Sequence, residues 1–183
     1  MTIVRPTRPW ILAAFFFIAF IASRGCFAAE TTDEYQKKAE CLFNFAKFVQ
    51  WPAHKFSQPD APFILGVIGT DPFRGLLEEA VQDQRINDHV VVVKHITSME
   101  EMRKCHLIFV SRSESARLGP ILAQVRGENV LTVGETDKFL SRGGIINFVS
   151  IDNAVRFEIS ESAAHHAGLK ISSRLMMLGI ASR

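Results

Sequence analysis

Three cysteines, two tryptophans and a single tyrosine are all that this chain of 183 residues holds of those types. So few cysteines exclude a small fold stapled by several disulfides. Neither charge sign dominates, with 21 basic residues against 19 acidic ones. No clustered basic face is present, so no nucleic-acid partner is expected. The apolar stretch at residues 10–23 covers 14 positions, short of the roughly 20 that a helix needs to cross a bilayer. Catalytic signatures are missing as well. Gly66, Gly69 and Gly75 fit neither the dinucleotide fingerprint nor the phosphate loop, and no Gly-Lys-Ser/Thr follows them. There is no G-x-S-x-G elbow, and neither downstream cysteine carries a local catalytic signature. The six histidines (54, 89, 95, 106, 165 and 166) include no pair at i, i+4. His165 and His166 point about 100° apart on a helix, as a polar face does. No metal, no cofactor and no enzymatic activity are expected.

What is present begins with an address. Arg5 and Arg8 precede the 14-residue apolar stretch, and Cys26-Phe27-Ala28 closes it with small residues at the outer positions. This is the pattern of a secretory signal peptide over residues 1–28, cut near Ala28. Cys26 lacks an aliphatic residue three places upstream and has Arg24 nearby, which argues against a lipid anchor. Removing residues 1–28 takes away Arg5, Arg8 and Arg24 and no acid, leaving 18 basic residues against 19 acidic ones. The exported chain is nearly neutral and keeps Cys41 and Cys105. That even count admits one disulfide in an oxidising compartment; two buried thiols are the alternative.

Residues 32–183 read as one domain. A first helix is expected over 32–50, with Ala39, Leu42, Phe43, Ala46 and Val49 at helical spacing, Lys37, Lys38 and Lys47 solvated, and Trp51-Pro52 as the stop. Continuous apolar runs follow at 63–68, 90–93, 107–110 and 130–133, the signature of strands buried on both faces. Helical patterns lie between them. One is capped by Asp71 with Pro72 as its first residue, one opens at Ser98, and one spans 111–126 with Gly119-Pro120 as a kink or a true start. The fold class is therefore α/β: a single domain, mainly parallel sheet, helices on both faces, and a C-terminal antiparallel hairpin.

That hairpin has strands at 145–150 and 154–159, with Asp152-Asn153 turning between them. Val155, Phe157 and Ile159 are assigned to the core, and Arg156 and Glu158 to the opposite face. Ser160 caps a short helix that Gly168 stops, and Ser172 or Ser173 caps a last one. Lys170 and Arg174 can approach Arg156 and Glu158 by chain reversal. This charged face is either a screened surface network or a recognition surface. The loops after the parallel strands, at Gly69–Pro72, Ser111–Ser113 and Gly134–Thr136, are the other ligand candidates.

These residues resemble a known family. Asn44-Phe45-Ala46-Lys47-Phe48-Val49-Gln50-Trp51-Pro52 is similar to the N-terminal signature of YfiR-like periplasmic proteins. Further matches are Ile68-Gly69-Thr70-Asp71-Pro72-Phe73, Cys105 to Val110, Val130 to Val133, Gly143 to Phe148, Arg156-Phe157-Glu158-Ile159 and Ala167 to Ser173. The resemblance covers essentially the whole exported chain. It implies a periplasmic, non-catalytic regulator that inhibits an inner-membrane diguanylate cyclase through its periplasmic sensing region, lowering cyclic di-GMP and biofilm formation. It also implies a second partner, an outer-membrane peptidoglycan-associated lipoprotein, and leaves a homodimer open. A small-ligand sensor or solute-binding module is the alternative function. The expected partner- or ligand-binding residues are Arg156, Glu158, Ser160, Lys170, Ser172, Ser173 and Arg174. Ser160 stands where the family commonly has asparagine; both are good caps, but an amide contact to a ligand would be lost.

Overall fold

The computed structural model describes residues 24–180, with side chains described from residue 32. Most of the expected leader therefore lies outside the described residues. Residues 35–180 form one compact unit.

Helix α1 (Arg24–Lys47) buries Ala39, Leu42, Phe43, Phe45 and Ala46, a stripe at helical spacing. It ends at Lys47 rather than at residue 50. Val49 and Gln50 instead form strand β1 (Val49–Gln50), paired antiparallel with β9 (Lys170–Ile171) in a small separate sheet. A helix end so close to Trp51-Pro52 leaves those two residues extended, and the distant β9 supplies their partners.

The main sheet is built from β2 (Phe63–Ile68), β3 (Arg85–Ile86), β4 (His89–Ile96), β5 (Leu107–Val110), β6 (Leu131–Gly134), β7 (Ile146–Ile151) and β8 (Ala154–Ile159). Its order is β3-β4-β2-β5-β6-β7-β8. The strands from β4 to β7 run parallel, and each edge is an antiparallel hairpin. The apolar run at 90–93 does not announce the β3–β4 hairpin, because β3 is only Arg85 and Ile86, too short and too polar to read as a strand; Asn87 and Asp88 turn the chain at positive φ between the two. Asp152 and Asn153 make the same turn between β7 and β8, as expected.

Side chains alternate into two cores. Phe63, Leu65, Val67, Leu107, Phe109, Leu131, Val133, Ile146 and Phe148 meet α1 and α2 (Leu76–Val81) on one face. Ile68, Ile108 and Val110 meet α3 (Met99–Lys104) and α4 (Leu118–Gln124) on the other. Ahead of α4, residues 112–117 wind as a 3-10 helix, so the segment at 111–126 is two elements and α4 starts next to Gly119-Pro120. The second core is closed by Phe139, which is fully buried. Its ring lies against both Gly134 and Gly144, where any Cβ would overlap it. After β8 come α5 (Glu161–His166), β9 and α6 (Ser173–Leu178). Helix α5 ends in a Schellman turn, with Gly168 at φ 71° and the Leu169 N–H donating to the Ala164 carbonyl at 3.0 Å.

Candidate functional site

Strand β8 is the last of the main sheet, and this governs its exposure. Val155, Phe157 and Ile159 face the α1 side as expected, and the Phe157 ring meets Phe45 edge-on at 4.8 Å. Only Ile159 is buried; Val155 and Phe157 are half-buried. No full strand flanks them on the outer edge, where Ile180 alone forms a bridge to Glu158 and donates its N–H to the Phe157 carbonyl at 2.9 Å. Arg156 is exposed on the opposite face, and Glu158 is half-buried across from Asn147.

The remaining expected residues fall into two groups. Ser160 caps α5, its Oγ accepting from the Ala163 N–H at 3.2 Å. Ser172 caps α6, accepting from the Arg174 N–H at 3.3 Å, and donates its own N–H to the Phe48 carbonyl at 2.9 Å. Lys170, opposite Gln50, Ser173 and Arg174 are exposed. Because β9 pairs with β1, Lys170 and Arg174 belong to the layer over the α1 side, whereas Arg156 and Glu158 face the other way. Among the described residues no ion pair joins these four side chains. The structure thus presents two neighbouring polar surfaces around the β8 edge rather than one charged network.

The strand-end loops are filled by the protein itself. After β2, the Thr70 N–H donates to Ser113 Oγ at 2.9 Å, and Gly69 is positive in φ where a side chain would run into Ser113 and Glu114. Asp71 caps no helix. Its carboxylate accepts from the Phe73 N–H at 2.8 Å in a tight turn, and α2 begins only after Gly75. At the end of β6, Glu135 meets Lys38 of α1 at 2.7 Å, with both side chains about 95 % buried. The Tyr35 hydroxyl reaches the same carboxylate at 3.2 Å, and the Lys38 ammonium sits 4.5 Å above the Tyr35 ring. Lys38 was expected to be solvated. Its place at i+3 from Tyr35 and i+4 to Leu42, on the apolar stripe, was the available signal.

At the opposite ends of the strands, His106 is buried in a column of rings. Phe56 stacks on it at 4.5 Å and Phe63 at 4.8 Å, and Phe56 also stacks on His89 at 3.9 Å. His106 Nδ1 accepts from the Ile64 N–H at 3.0 Å, while its buried Nε2 has no protein partner. Burial, together with the nearby Lys55 and His89, lowers its pKa to about 4. The neighbouring Cys105 thiol is pushed up to about 12, chiefly by burial. Cys41 is raised too, by burial and then by Glu40. Both thiols are free, Cys41 packing on the α1-side core and Cys105 in the core across the sheet, so the bridge that the count admits does not form.

A cavity of about 500 Å³ opens between the end of α4, the 3-10 turn Leu140–Arg142 and α5. Ser160 lines it together with Thr132, Ile145, Arg126 and Arg142. Neither arginine stands out in the sequence, because each sits in a polar turn and only the fold brings the turns together.

The YfiR/HmsC-like family profile matches residues 35–180. No curated protein matches the chain. A solved structure, a conserved domain protein from Vibrio cholerae O1 biovar El Tor, superposes with a TM-score of 0.50 at 10 % identity. The alignment covers 66 % of this chain and 55 % of that one, and it shows a shared fold alone. The family profile spans both cores, the β7–β8 hairpin and α6, and the chain belongs to the YfiR/HmsC-like family.

Proposed function

We propose that this chain is a periplasmic regulator without catalytic activity that binds the periplasmic sensing region of an inner-membrane diguanylate cyclase and lowers cyclic di-GMP. The observation that carries this reading is the family match over residues 35–180, the whole of the compact unit as described. The chemistry of the buried groups supports it. Cys105 is held as a thiol, His106 is committed to the Ile64 N–H, and Glu135 is paired with Lys38. None of these is poised for proton transfer or attack near neutral pH.

Arg156 and Glu158 on one side of β8, and Lys170, Ser173 and Arg174 on the other, are the proposed recognition surface, with Ser160 and Ser172 fixing the helices that frame it. An edge strand with open charges on both flanks suits a protein partner, since such charges set partner choice and association rate more than affinity. An outer-membrane peptidoglycan-associated lipoprotein is the proposed competing partner. Deleting the gene is expected to raise cyclic di-GMP and biofilm formation. Unchanged cyclic di-GMP across several growth conditions would contradict the reading.

A further inference from the structure

We propose that the cavity beneath α5 binds a small amphiphilic anion, with a carboxylate head between Arg126 and Arg142 and an apolar tail along Leu122, Val125, Val130 and Ile145. Its volume, about 500 Å³, falls within the range of small-molecule sites. The four apolar residues are each at least 95 % buried and form the floor. The mouth is cationic: Arg126 and Arg142 line it, and no aspartate or glutamate does.

The two arginines line the same cavity without a counter-charge. Arg126 comes from the end of α4, and its Nη2 lies 3.8 Å from the position a Cβ would take on Gly143, directly after Arg142. Among the described residues the Arg126 side chain makes no ion pair and no hydrogen bond, and the Arg142 side chain donates only to the Ser115 carbonyl at 3.3 Å. A guanidinium stays charged at any physiological pH and presents a planar fork that matches a carboxylate. Two such cations at one mouth, with no acid among the lining residues, favour an anion there. A bare anion would leave the space over the apolar floor unfilled, and a neutral apolar molecule would leave the guanidiniums without an anionic partner. One ligand carrying both features satisfies the site. The inference does not depend on the cyclase reading, because it rests on the cavity alone.

The test is calorimetric titration of the purified protein with octanoate, octanol, acetate and inorganic phosphate. Octanoate is expected to bind, and the other three to bind about tenfold more weakly or not at all. Arg126→Ala and Arg142→Ala should each weaken octanoate about tenfold through loss of a charge-assisted hydrogen bond. Both side chains are exposed, so the melting temperature should hold. Ser162→Trp, at the exposed rim on α5, should block entry. Octanol binding as tightly as octanoate would overturn the anionic head, and phosphate binding as tightly would overturn the apolar tail. Arginine variants that bind octanoate normally, or no binding by any probe, would overturn the site altogether.

Discussion

His106 makes the stability of this fold fall with acid in a calculable way. In the folded chain the imidazole is neutral, buried between Phe56 and Phe63, and its Nδ1 accepts the Ile64 N–H. A proton on Nδ1 would set two donors against each other, so the folded state resists it. The folded pKa is about 4 against an ordinary 6.5. The unfolded chain takes up the proton first as pH drops, so the contribution is complete above pH 6.5 and is lost progressively down to pH 4. The gap of about 2.5 units corresponds to about 3 kcal/mol in total, of which about 2 kcal/mol falls between pH 7 and pH 4.5. Urea unfolding at half-unit pH steps measures this against His106→Asn, whose amide oxygen can still accept from Ile64 but does not titrate. The variant should be less stable at pH 7, having lost the ring stacking, yet its stability should decline with acid by about 2 kcal/mol less than that of the wild type. Parallel pH profiles for the two proteins would refute the reasoning.

Two further predictions concern groups that hold the layers together. Lys38→Met should destabilise the protein by about 3–5 kcal/mol, because it leaves the Glu135 carboxylate charged and buried with its cation gone, whereas adding Glu135→Gln should recover much of that loss; chemical unfolding of the single and double variants decides. Phe139→Ala should cost about 3–5 kcal/mol, since the emptied notch between Gly134 and Gly144 is bounded by backbone that cannot collapse into it. A loss below about 1 kcal/mol there would show that the notch closes.

The order of elements was legible because the central strands are buried on both faces. Runs such as Phe63 to Ile68 and Leu107 to Val110 then read as continuous apolar stretches, and the amphipathic helices fall between them. Asp152-Asn153 announced the β7–β8 turn through residues that tolerate positive φ. Pairings between distant segments were not legible. Nothing local in Val49-Gln50 says that it will meet Lys170-Ile171, and so the expected helix runs three residues past the end of α1. Buried polar groups were hidden for the same reason. Lys38 reads as solvated until Glu135 arrives from 97 residues away. In the candidate site, Arg156 and Glu158 followed from strand alternation, and the caps Ser160 and Ser172 from local chemistry. The cavity needed three separate turns to converge, and Arg126 and Arg142 carry no pattern that marks them.

The regulatory reading is tested most directly by binding of the purified protein to the isolated periplasmic region of an inner-membrane diguanylate cyclase from the same organism, with Arg156→Glu and Glu158→Ala run beside the wild type. Arg156 is exposed and Glu158 half-buried on an edge strand, and neither makes an ion pair among the described residues, so the melting temperatures should stay within a few degrees of the wild type. The wild type is expected to bind, and both variants to bind about tenfold more weakly or not at all. Absence of wild-type binding, or binding that neither substitution alters, would contradict the regulatory reading.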